Sequence, residues 1–160
     1  MVHGALCTRD KLRRWGIGDG KCPFCSKQET IVHIFWECKI YKVLDWVFRV
    51  TDRLLGNVTF DSNLFIYGVS SQRLDAIVWA RVWFLFAITK KLLWGRRCSA
   101  IFDKESISED RLLLKVKEEI RLRLVIDLKR WSRDKFEKVW VKGKTFVSIV
   151  GEGDIRLNLP

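Results

Sequence analysis

The 160-residue sequence predicts a mostly α fold, in which a small cysteine-rich segment near the N-terminus is joined to a helical bundle. Three observations support this fold class. Hydrophobic residues make up 48% of the chain, which is enough to form a core. Apolar side chains recur at intervals of three and four residues along several segments, as they do on the buried face of a helix. Three of the five cysteines and one of the two histidines lie within residues 22–38.

Two helices are predicted to flank the cysteine-rich segment. Thr8 is the expected N-cap of a short first helix, and three glycines in residues 16–20 favour a loop that ends it. Thr30 precedes an apolar-rich stretch and is the expected N-cap of a second helix, which continues to about Leu55. Residues 1–56 are therefore expected to form one unit, a knuckle with flanking helices.

The remainder of the chain is expected to supply a linker loop, two long helices and a tail. Residues 57–71 have no helical period and are predicted to be the linker, with one short extended piece at most. A third helix, apolar on most faces, is predicted from about Gln72 to Trp94. The helical segment of residues 72–142 should pack on the N-terminal unit, and residues 143–160 should form a tail that is loop, weak strand or disorder.

The fourth helix shows clear periodicity. Ser106 is followed three residues later by Glu109, which is the signature of a capping box at a helix start. Apolar residues then follow in steps of four and three, an amphipathic stripe suited to face a core. The stripe comprises Leu112, Val116, Ile120, Leu124, Leu128 and Trp131, with Phe136 and Trp140 as its continuation.

The cysteine-rich segment has the ligand spacing of a structural zinc site. Its soft ligands follow the pattern C-x2-C-x7-H-x4-C and are Cys22, Cys25, His33 and Cys38. Two cysteines separated by two residues on a tight turn supply half of a tetrahedral zinc site, and four protein ligands leave no open position for a substrate. We therefore predict one structural Zn²⁺, held by a small CCHC zinc knuckle that is joined to the helical bundle.

The spacing between the last two ligands is awkward for a helix. Five residues of an ideal α-helix turn through about 500°, so His33 and Cys38 do not share one face. The start of the second helix must loosen, or the histidine must reach across, for both residues to bind one ion. We expect the ion to pin the turn of Cys22 and Cys25 onto the helix that begins at Thr30.

Other interpretations of these cysteines remain open. Cysteine is often buried as a small hydrophobic residue, so Cys22 and Cys25 could be a core pair beside an unrelated histidine. Cys7 could also replace Cys38 as a ligand. A RING-type double site needs eight ligands, whereas the chain has five cysteines and two histidines in total, which excludes it.

The sequence predicts neither secretion nor insertion into a membrane. Its first residues lack the apolar core of a signal peptide. Its most apolar run, residues 76–89, is shorter than the roughly 20 residues that span a bilayer. A disulfide framework is not expected, because the number of cysteines is odd and three of them follow a metal pattern. We expect an intracellular location, in the nucleus and/or cytoplasm, and no membrane partner.

The segments HGALCTRDKLRRWGI, CPFC, ET and HIFWEC, between His3 and Cys38, resemble the zinc-binding region that follows the reverse transcriptase in LINE-type (non-LTR) retrotransposons. The positions that carry the resemblance are Thr8, Leu12, Arg14, Trp15, Gly16, Cys22, Pro23, Cys25, Glu29, Thr30, His33, Phe35 and Cys38. It implies that the chain corresponds to a carboxy-terminal piece of such a polyprotein, from a region that helps to bind template RNA and target DNA.

Catalysis is not predicted. The polymerase of that family needs a Tyr/Phe-x-Asp-Asp strand to hold two Mg²⁺ ions, and no Asp-Asp pair occurs in this chain. The metal-binding residues of the family's endonuclease are missing as well. The chain also lacks the full G-x4-G-K-S/T phosphate loop, and no Ser-His-Asp set can be assembled. We therefore expect no polymerase or endonuclease activity in this chain.

Positive charge predicts a polyanionic partner. Lys and Arg number 30 against 19 Asp and Glu, a net charge of +11 that is spread along the chain. Basic side chains neutralise phosphates and exposed aromatic rings stack on unpaired bases, so RNA or DNA is the predicted partner. The predicted contacts surround the turn that carries Cys22 and Cys25 (residues 21–29, called the zinc turn below). They are Arg9, Lys11, Arg13, Arg14, Lys21, Phe24 and Lys27.

Residues 90–97 and the fourth helix are also basic, although the fourth helix carries enough acidic residues to be a solvated, ion-paired surface. The leading hypothesis is a nucleic-acid-binding module. The alternative is a zinc-stabilised protein-interaction bundle that docks on a partner, such as a reverse transcriptase body, through residues of the third helix. These residues are Trp79, Trp83, Phe84 and Phe86. A third possibility is a relic without a selected function.

Overall fold

The computed structural model describes residues 6–55, 59–69, 75–141, 147–151 and 154–158. Most of them are helical, which confirms the predicted class. The α-helices in this part of the chain are α1 (Arg9–Arg14), α2 (Tyr41–Leu55), α3 (Ala76–Cys98), α4 (Glu109–Arg130) and α5 (Arg133–Phe136). Short π-helical turns cover His33–Glu37, Asn63–Tyr67, Ser99–Asp103 and Glu137–Val141, and two strands, β1 (Val147–Val150) and β2 (Asp154–Leu157), pair with each other. Among the described residues, no helix has both the length and the apolarity to cross a bilayer.

The first helix begins and ends where its sequence predicts. Thr8 Oγ1 accepts a hydrogen bond of 3.3 Å from the N–H three residues later, so it is the N-cap. The helix ends at Arg14 with Trp15 as its C-cap, and Gly16 follows with a φ of +77°, a left-handed conformation that favours glycine. The N–H groups of Gly16 and Ile17 donate to the carbonyl oxygens of Arg13 and Leu12, at 3.0 and 2.9 Å. These two bonds form a Schellman motif, which fixes the direction of the glycine-rich loop.

The predicted second helix is two separate pieces in the structure. Thr30 Oγ1 accepts a hydrogen bond of 3.0 Å from the N–H three residues later, as a cap would. The chain then forms the π turn His33–Glu37, becomes extended at Cys38 and starts α2 only at Tyr41. The prediction of one continuous helix is therefore wrong, because the chain breaks at the last of the predicted metal ligands.

The segment predicted as a linker loop contributes to the core. Its residues 57, 58, 70 and 71 lie outside the described part of the chain. Between them, the π turn Asn63–Tyr67 buries Leu64, Phe65 and Ile66. Three consecutive buried residues produce no helical period, which is why the sequence pattern predicts a loop here.

The central helix of the bundle is α3, which contacts both α2 and α4. It begins at Ala76 with Asp75 as its N-cap, while the predicted start at residue 72 lies outside the described residues. It continues past the predicted end at Trp94, through Gly95, to Cys98. Apolar side chains are buried along this helix, and four charged ones are buried with them. The charged residues are Arg81, Lys90, Arg96 and Arg97. Most of the predicted basic cluster in residues 90–97 is therefore interior.

The fourth predicted helix, α4, presents its stripe to the core. The side chains buried along it are Leu112, Val116, Ile120 and Leu124. The N-cap is Ser108, whose Oγ accepts a 3.3 Å hydrogen bond from the N–H three residues later, and not the predicted Ser106. The stripe does not continue in one helix, because Ser132 caps the separate helix α5. Phe136 and Trp140 are nevertheless buried, as the pattern predicts.

The described part of the tail forms two β-strands, one of the three alternatives that the sequence left open for it. Strands β1 and β2 pair antiparallel, with Val147 opposite Leu157. Val147 and Ile155 are buried, and β2 contacts α4. The division of the chain into residues 1–56, a linker, residues 72–142 and a tail stays a prediction.

Candidate metal centre

The structure brings the four predicted metal ligands into one cluster. One ligand atom from each of Cys22, Cys25, His33 and Cys38 lies within 4.8 Å of the other three. The Sγ atoms of Cys22 and Cys38 are 3.6 Å apart, and the Sγ of Cys25 is 3.1 Å from Nε2 of His33. Zn–S bonds of about 2.3 Å in a tetrahedron place two sulfurs about 3.8 Å apart. The donor set and its dimensions therefore fit one structural Zn²⁺.

A tight turn sets the two cysteines of CPFC. The N–H of Ser26 donates to the carbonyl oxygen of Cys22 at 3.0 Å, and the N–H of Cys22 donates to the carbonyl oxygen of Lys27 at 2.7 Å. The N–H of Phe24 points at the Sγ of Cys22, 3.4 Å away. Such a hydrogen bond favours the charged form of the sulfur. The backbone of the turn is therefore arranged for a thiolate.

A π-helical turn resolves the awkward spacing between His33 and Cys38. The N–H of Cys38 donates to the carbonyl oxygen of His33, five residues earlier, at 2.8 Å. A turn closed by this i to i+5 bond is wider than an α-helical turn, so it brings residues five apart onto the same side. The loosened helix start that the ligand spacing requires is this π turn.

A carboxylate that sequence reasoning missed lies beside the histidine. Nε2 of His33 faces Cys25, while its Nδ1 lies 3.6 Å from Oε2 of Glu37. Metal-bound histidines commonly turn their second ring nitrogen to a carboxylate, which holds the ring and raises its basicity. The signal that could have identified Glu37 is its i, i+4 spacing from His33 within the same helical turn.

The thiols of Cys22 and Cys38 are coupled by a hydrogen bond. The contact with Cys38 lowers the pKa of the Cys22 thiol to about 4. The same contact, together with burial, raises the pKa of Cys38 above its usual range. The arrangement therefore favours a thiolate at Cys22. A metal ligand must lose its proton, so metal binding at this cluster is accompanied by proton release.

A buried ion pair joins the ligand segment to α3. Nε and Nη2 of Arg97 donate to Oε1 of Glu29 at 3.2 and 2.8 Å, and Nη2 also donates to the carbonyl oxygen of Cys7 at 3.1 Å. The N–H of Arg9 donates to the same Glu29 oxygen at 2.8 Å. Glu29 therefore connects the start of α1, the zinc turn and the C-terminal end of α3.

The neighbouring Arg96 holds the other end of the ligand segment. Its guanidinium donates to the carbonyl oxygens of Lys39 and Ile107 at 3.2 and 3.1 Å. The same group lies over the Phe24 ring, 4.1 Å from the ring centroid. One face of Phe24 is therefore already covered. Sequence reasoning placed Arg96 and Arg97 in a surface cluster, because nothing local to them indicates burial.

A family of known proteins matches the part of the chain that contains the metal cluster. Residues 1–45, which contain all four ligands, match the family described as zinc-binding in reverse transcriptase. Residues 1–45, called the zinc-binding region below, are therefore similar to the zinc-binding region of reverse transcriptases. The match is to the zinc-binding region of such enzymes and not to their catalytic domain. The resemblance that the motifs predict is confirmed.

The chain is also similar to an uncharacterized 149 kDa protein of transposon TX1 from Xenopus laevis. The two sequences are 40% identical over 38 residues, which is 24% of this chain. The alignment spans only 3% of the length of that relative. No solved structure matches the chain significantly.

The predicted nucleic-acid contacts of the zinc-binding region lie on α1 and on the zinc turn. The exposed ones are Arg13, Arg14, Lys21 and Lys27, whereas Arg9, Lys11 and Phe24 are partly buried. Arg14 and Arg13 approach the single carboxylate of Asp10, at 2.7 and 3.7 Å, and Arg9 pairs with Asp19 at 3.0 Å. The role of these residues as contacts stays a prediction.

The basic residues of α4 and its neighbours are partly committed to ion pairs. Lys91 lies 2.9 Å from Glu119, and Arg121 lies 3.2 Å from Asp154. Arg123 also approaches Glu119, at 3.8 Å. This pattern matches the solvated, ion-paired surface that the sequence left as an alternative for this helix.

Proposed function

We propose that the chain is a nucleic-acid-binding module, which takes RNA and/or DNA through the zinc-binding region and has no polymerase or endonuclease activity of its own. The supporting observation is that α1 and the zinc turn form one hydrogen-bonded unit with exposed positive charge. Such a unit offers phosphates a fixed array of cations, which a set of separately mobile side chains does not.

Two hydrogen bonds hold α1 to the zinc turn, and a third holds the glycine-rich loop to it. Nε2 of Gln28 donates to Oδ1 of Asp10, and the N–H of Asp10 donates to the carbonyl oxygen of Glu29 at 3.3 Å. The N–H of Glu29 in turn donates to the carbonyl oxygen of Gly20 at 2.9 Å. A Cβ on Gly20 would lie 2.8 Å from Cδ of Arg13, so glycine allows this close approach. The backbone positions of the exposed Lys and Arg residues on α1 and on the zinc turn are therefore fixed relative to one another.

The charge of this unit is positive. Residues 9–30 contain six Lys and Arg against three Asp and Glu. Two of the three acidic residues, Asp10 and Glu29, are buried. Asp10 is approached by Arg13 and Arg14, and Glu29 is paired with Arg97. An excess of exposed cations attracts polyanions and gives binding that depends on salt.

The test is a titration of the zinc-loaded protein with RNA and with duplex DNA at two salt concentrations. If about four phosphates are neutralised, affinity should fall roughly 100-fold between about 50 and about 200 mM salt. The double substitution Arg13→Glu and Arg14→Glu should weaken binding at the lower salt concentration and abolish it at the higher one.

A matched control changes the same number of charges elsewhere. Arg49→Glu with Arg53→Glu alters two exposed arginines of α2 and leaves the zinc-binding region unchanged. This pair should weaken binding far less than the α1 pair. Equal losses in the two variants would mean that binding follows total charge, and the assignment to α1 and the zinc turn would be wrong.

A second candidate function is protein docking, and one observation favours it. Trp83 of α3 is 38% exposed beside Gly68, and the neighbouring Tyr67 and Val69 are exposed as well. Two of the predicted docking residues are taken by the protein itself, because Phe86 is fully buried and Phe84 packs on Trp140. A complex with a reverse transcriptase body would then survive high salt and be lost on Trp83→Ala.

The proposal includes an intracellular location, in the nucleus and/or cytoplasm. All five cysteines are free thiols in the structure, and three of them are in the metal cluster. A reducing compartment keeps such thiols available for zinc. Localisation of a tagged full-length chain, together with the zinc content of protein isolated from each fraction, would test this part of the proposal.

A further inference from the structure

A groove runs between the zinc-binding region and the C-terminal end of α3. It has a volume of about 500 Å³, within the range of about 300–1,000 Å³ that ligand sites occupy. Its apolar lining comes from both sides and comprises Leu12, Ile17, Pro23, Trp94, Ile101 and Phe102. The groove is distinct from the zinc cluster, because none of the four ligands lines it.

Two of the lining side chains are unusually exposed for their type. Ile17 is 57% exposed and Phe102 is 73% exposed, although both border the same concavity. Large apolar side chains left in water around a concave site commonly mark a place where something binds. The Trp15 side chain, which directly follows the arginines of α1, is also mostly exposed. Apolar contact area is therefore available next to the basic surface.

The backbone holds these exposed side chains in place. Ile17 is the last residue of the Schellman motif and is tied to Leu12 by a 2.9 Å hydrogen bond. Phe102 lies in the π turn Ser99–Asp103, which ends with Lys104 in a left-handed conformation and a 3.2 Å bond from the N–H of Glu105 to the carbonyl oxygen of Ser99. A preformed site loses little entropy when it binds a ligand.

The exposed cations near the groove belong to α1. Of the two arginines that line the groove, Arg9 pairs with Asp19 and Arg97 with Glu29, and no acidic side chain among the described residues lines it. Exposed Arg13 and Arg14 lie on α1, the helix that also contributes Leu12 to the groove wall. An apolar, partly aromatic floor beside cations matches the two parts of a nucleotide, because rings stack on bases while arginine and lysine meet phosphates.

From this arrangement we infer that the groove takes unpaired bases of single-stranded RNA or DNA, whose phosphates lie on α1. This inference rests on the proposed function and narrows it to single strands. Bases in a duplex are stacked and paired, so they cannot enter the groove; a duplex is bound only through its phosphates.

The test compares a short single-stranded oligonucleotide, made as RNA and as DNA, with the corresponding duplex, using zinc-loaded full-length protein. Phe102→Ala should weaken single-strand binding by about 5- to 100-fold, the effect of losing a stacking ring. Ile17→Ala removes apolar contact area but no ring, so it should weaken single-strand binding less than Phe102→Ala does. Duplex binding and the salt dependence of both should be unchanged. Phe102→Tyr keeps a ring and should bind single strands like the natural protein.

Tyr41→Ala is the matched control, because Tyr41 is an equally exposed aromatic residue at 69% and does not line the groove. It should leave single-strand binding unchanged. If Phe102→Ala has no effect, or weakens single-strand and duplex binding equally, the inference is overturned. The proposed function is decided separately by Arg13→Glu with Arg14→Glu, so it can stand when the groove inference fails, and the two failures are seen in different variants. A groove filled by an apolar peptide instead would give the first of these negative results.

Discussion

The ammonium group of buried Lys90 lies over the ring of Trp83, a partly exposed residue at the bundle surface, 4.4 Å from the ring centroid. Lys90 is 1% exposed, and its Nζ donates a 3.0 Å hydrogen bond to the carbonyl oxygen of Ile66. Burial lowers the pKa of this amine to about 8. A charged group in such a place costs stability, because the ring and one carbonyl replace only part of its hydration.

The first prediction concerns the pH dependence of Lys90→Met. Because the folded pKa lies below the unfolded one, the unfolded chain binds more protons between about pH 8 and 10. The natural protein should therefore gain up to about 3 kcal/mol of unfolding free energy as pH rises through this window. Lys90→Met lacks this gain, so any stability advantage over the natural protein should shrink with increasing pH.

Urea denaturation of zinc-loaded protein at about pH 7 and about pH 9.5 checks this prediction. Lys91→Met is the control, because its side chain is exposed and adjacent in sequence. The stability difference between Lys91→Met and the natural protein should be similar at the two pH values. A difference for Lys90→Met that is also independent of pH would contradict the prediction.

The second prediction concerns the buried pair of Arg97 and Glu29. Arg97→Met leaves the fully buried Glu29 carboxylate without its main partner, so the free energy of unfolding should fall by about 3–5 kcal/mol. The exposed pair of Arg49 and Asp45 offers a comparison with a similar N···O distance of 2.7 Å. Arg49→Met should cost less than about 1 kcal/mol. Equal losses in equilibrium denaturation would show that burial does not set the strength of the first pair.

The third prediction concerns zinc. The natural protein should hold one zinc per chain after exhaustive dialysis, Cys25→Ser should lose it, and Cys98→Ser should keep it. Metal analysis by mass spectrometry measures all three. The reason is that Cys25 belongs to the cluster of four ligands, while Cys98 lines the neighbouring groove. Zinc retained by Cys25→Ser at full stoichiometry would argue against the assigned ligand set.

Removal of zinc should loosen the N-terminal region before the bundle. The helix α1 has six residues, too few to be stable alone, and it is held largely by the zinc turn. Zinc-binding free energy is folding free energy for such a segment. Hydrogen exchange after chelation should therefore show lost protection in residues 9–38, while Leu112 to Leu124 of α4 stay protected.

The fourth prediction separates two serines at the start of α4. Ser108→Ala removes the side chain that caps the helix and should cost about 1 kcal/mol, whereas Ser106→Ala should be close to neutral. Both serines are exposed, so packing does not confuse the comparison. Thermal or urea denaturation of the two variants side by side is sufficient. A larger loss of unfolding free energy for Ser106→Ala than for Ser108→Ala would indicate that Ser106 is the N-cap, as the sequence predicts.

This pair of serines illustrates the limit of local sequence signals. A capping box identifies the neighbourhood of a helix start, but only Ser106, with Glu109 three residues later, matches its pattern. The residue that caps α4 is Ser108, which is followed three residues later by Arg111 and so does not match that pattern. The same holds for α3, whose end the sequence leaves between Trp94 and the following Arg-Arg-Cys, whereas the structure ends it at Cys98. Arg96 and Arg97 there find carbonyl and carboxylate partners that are distant in sequence.

The sequence by itself determined the zinc ligands, the α1 cap with its glycine stop, and the buried stripe of α4. Each of these depends on spacing along a few consecutive residues, so the information is local. Only the tertiary structure decided the π turn between His33 and Cys38, the burial of Leu64 to Ile66, and the interior position of Arg97. Arg97 can be buried because Glu29, 68 residues away, meets its charge. The stability of such an ion pair depends on both residues, and local sequence patterns do not indicate that two residues so far apart in the chain are in contact.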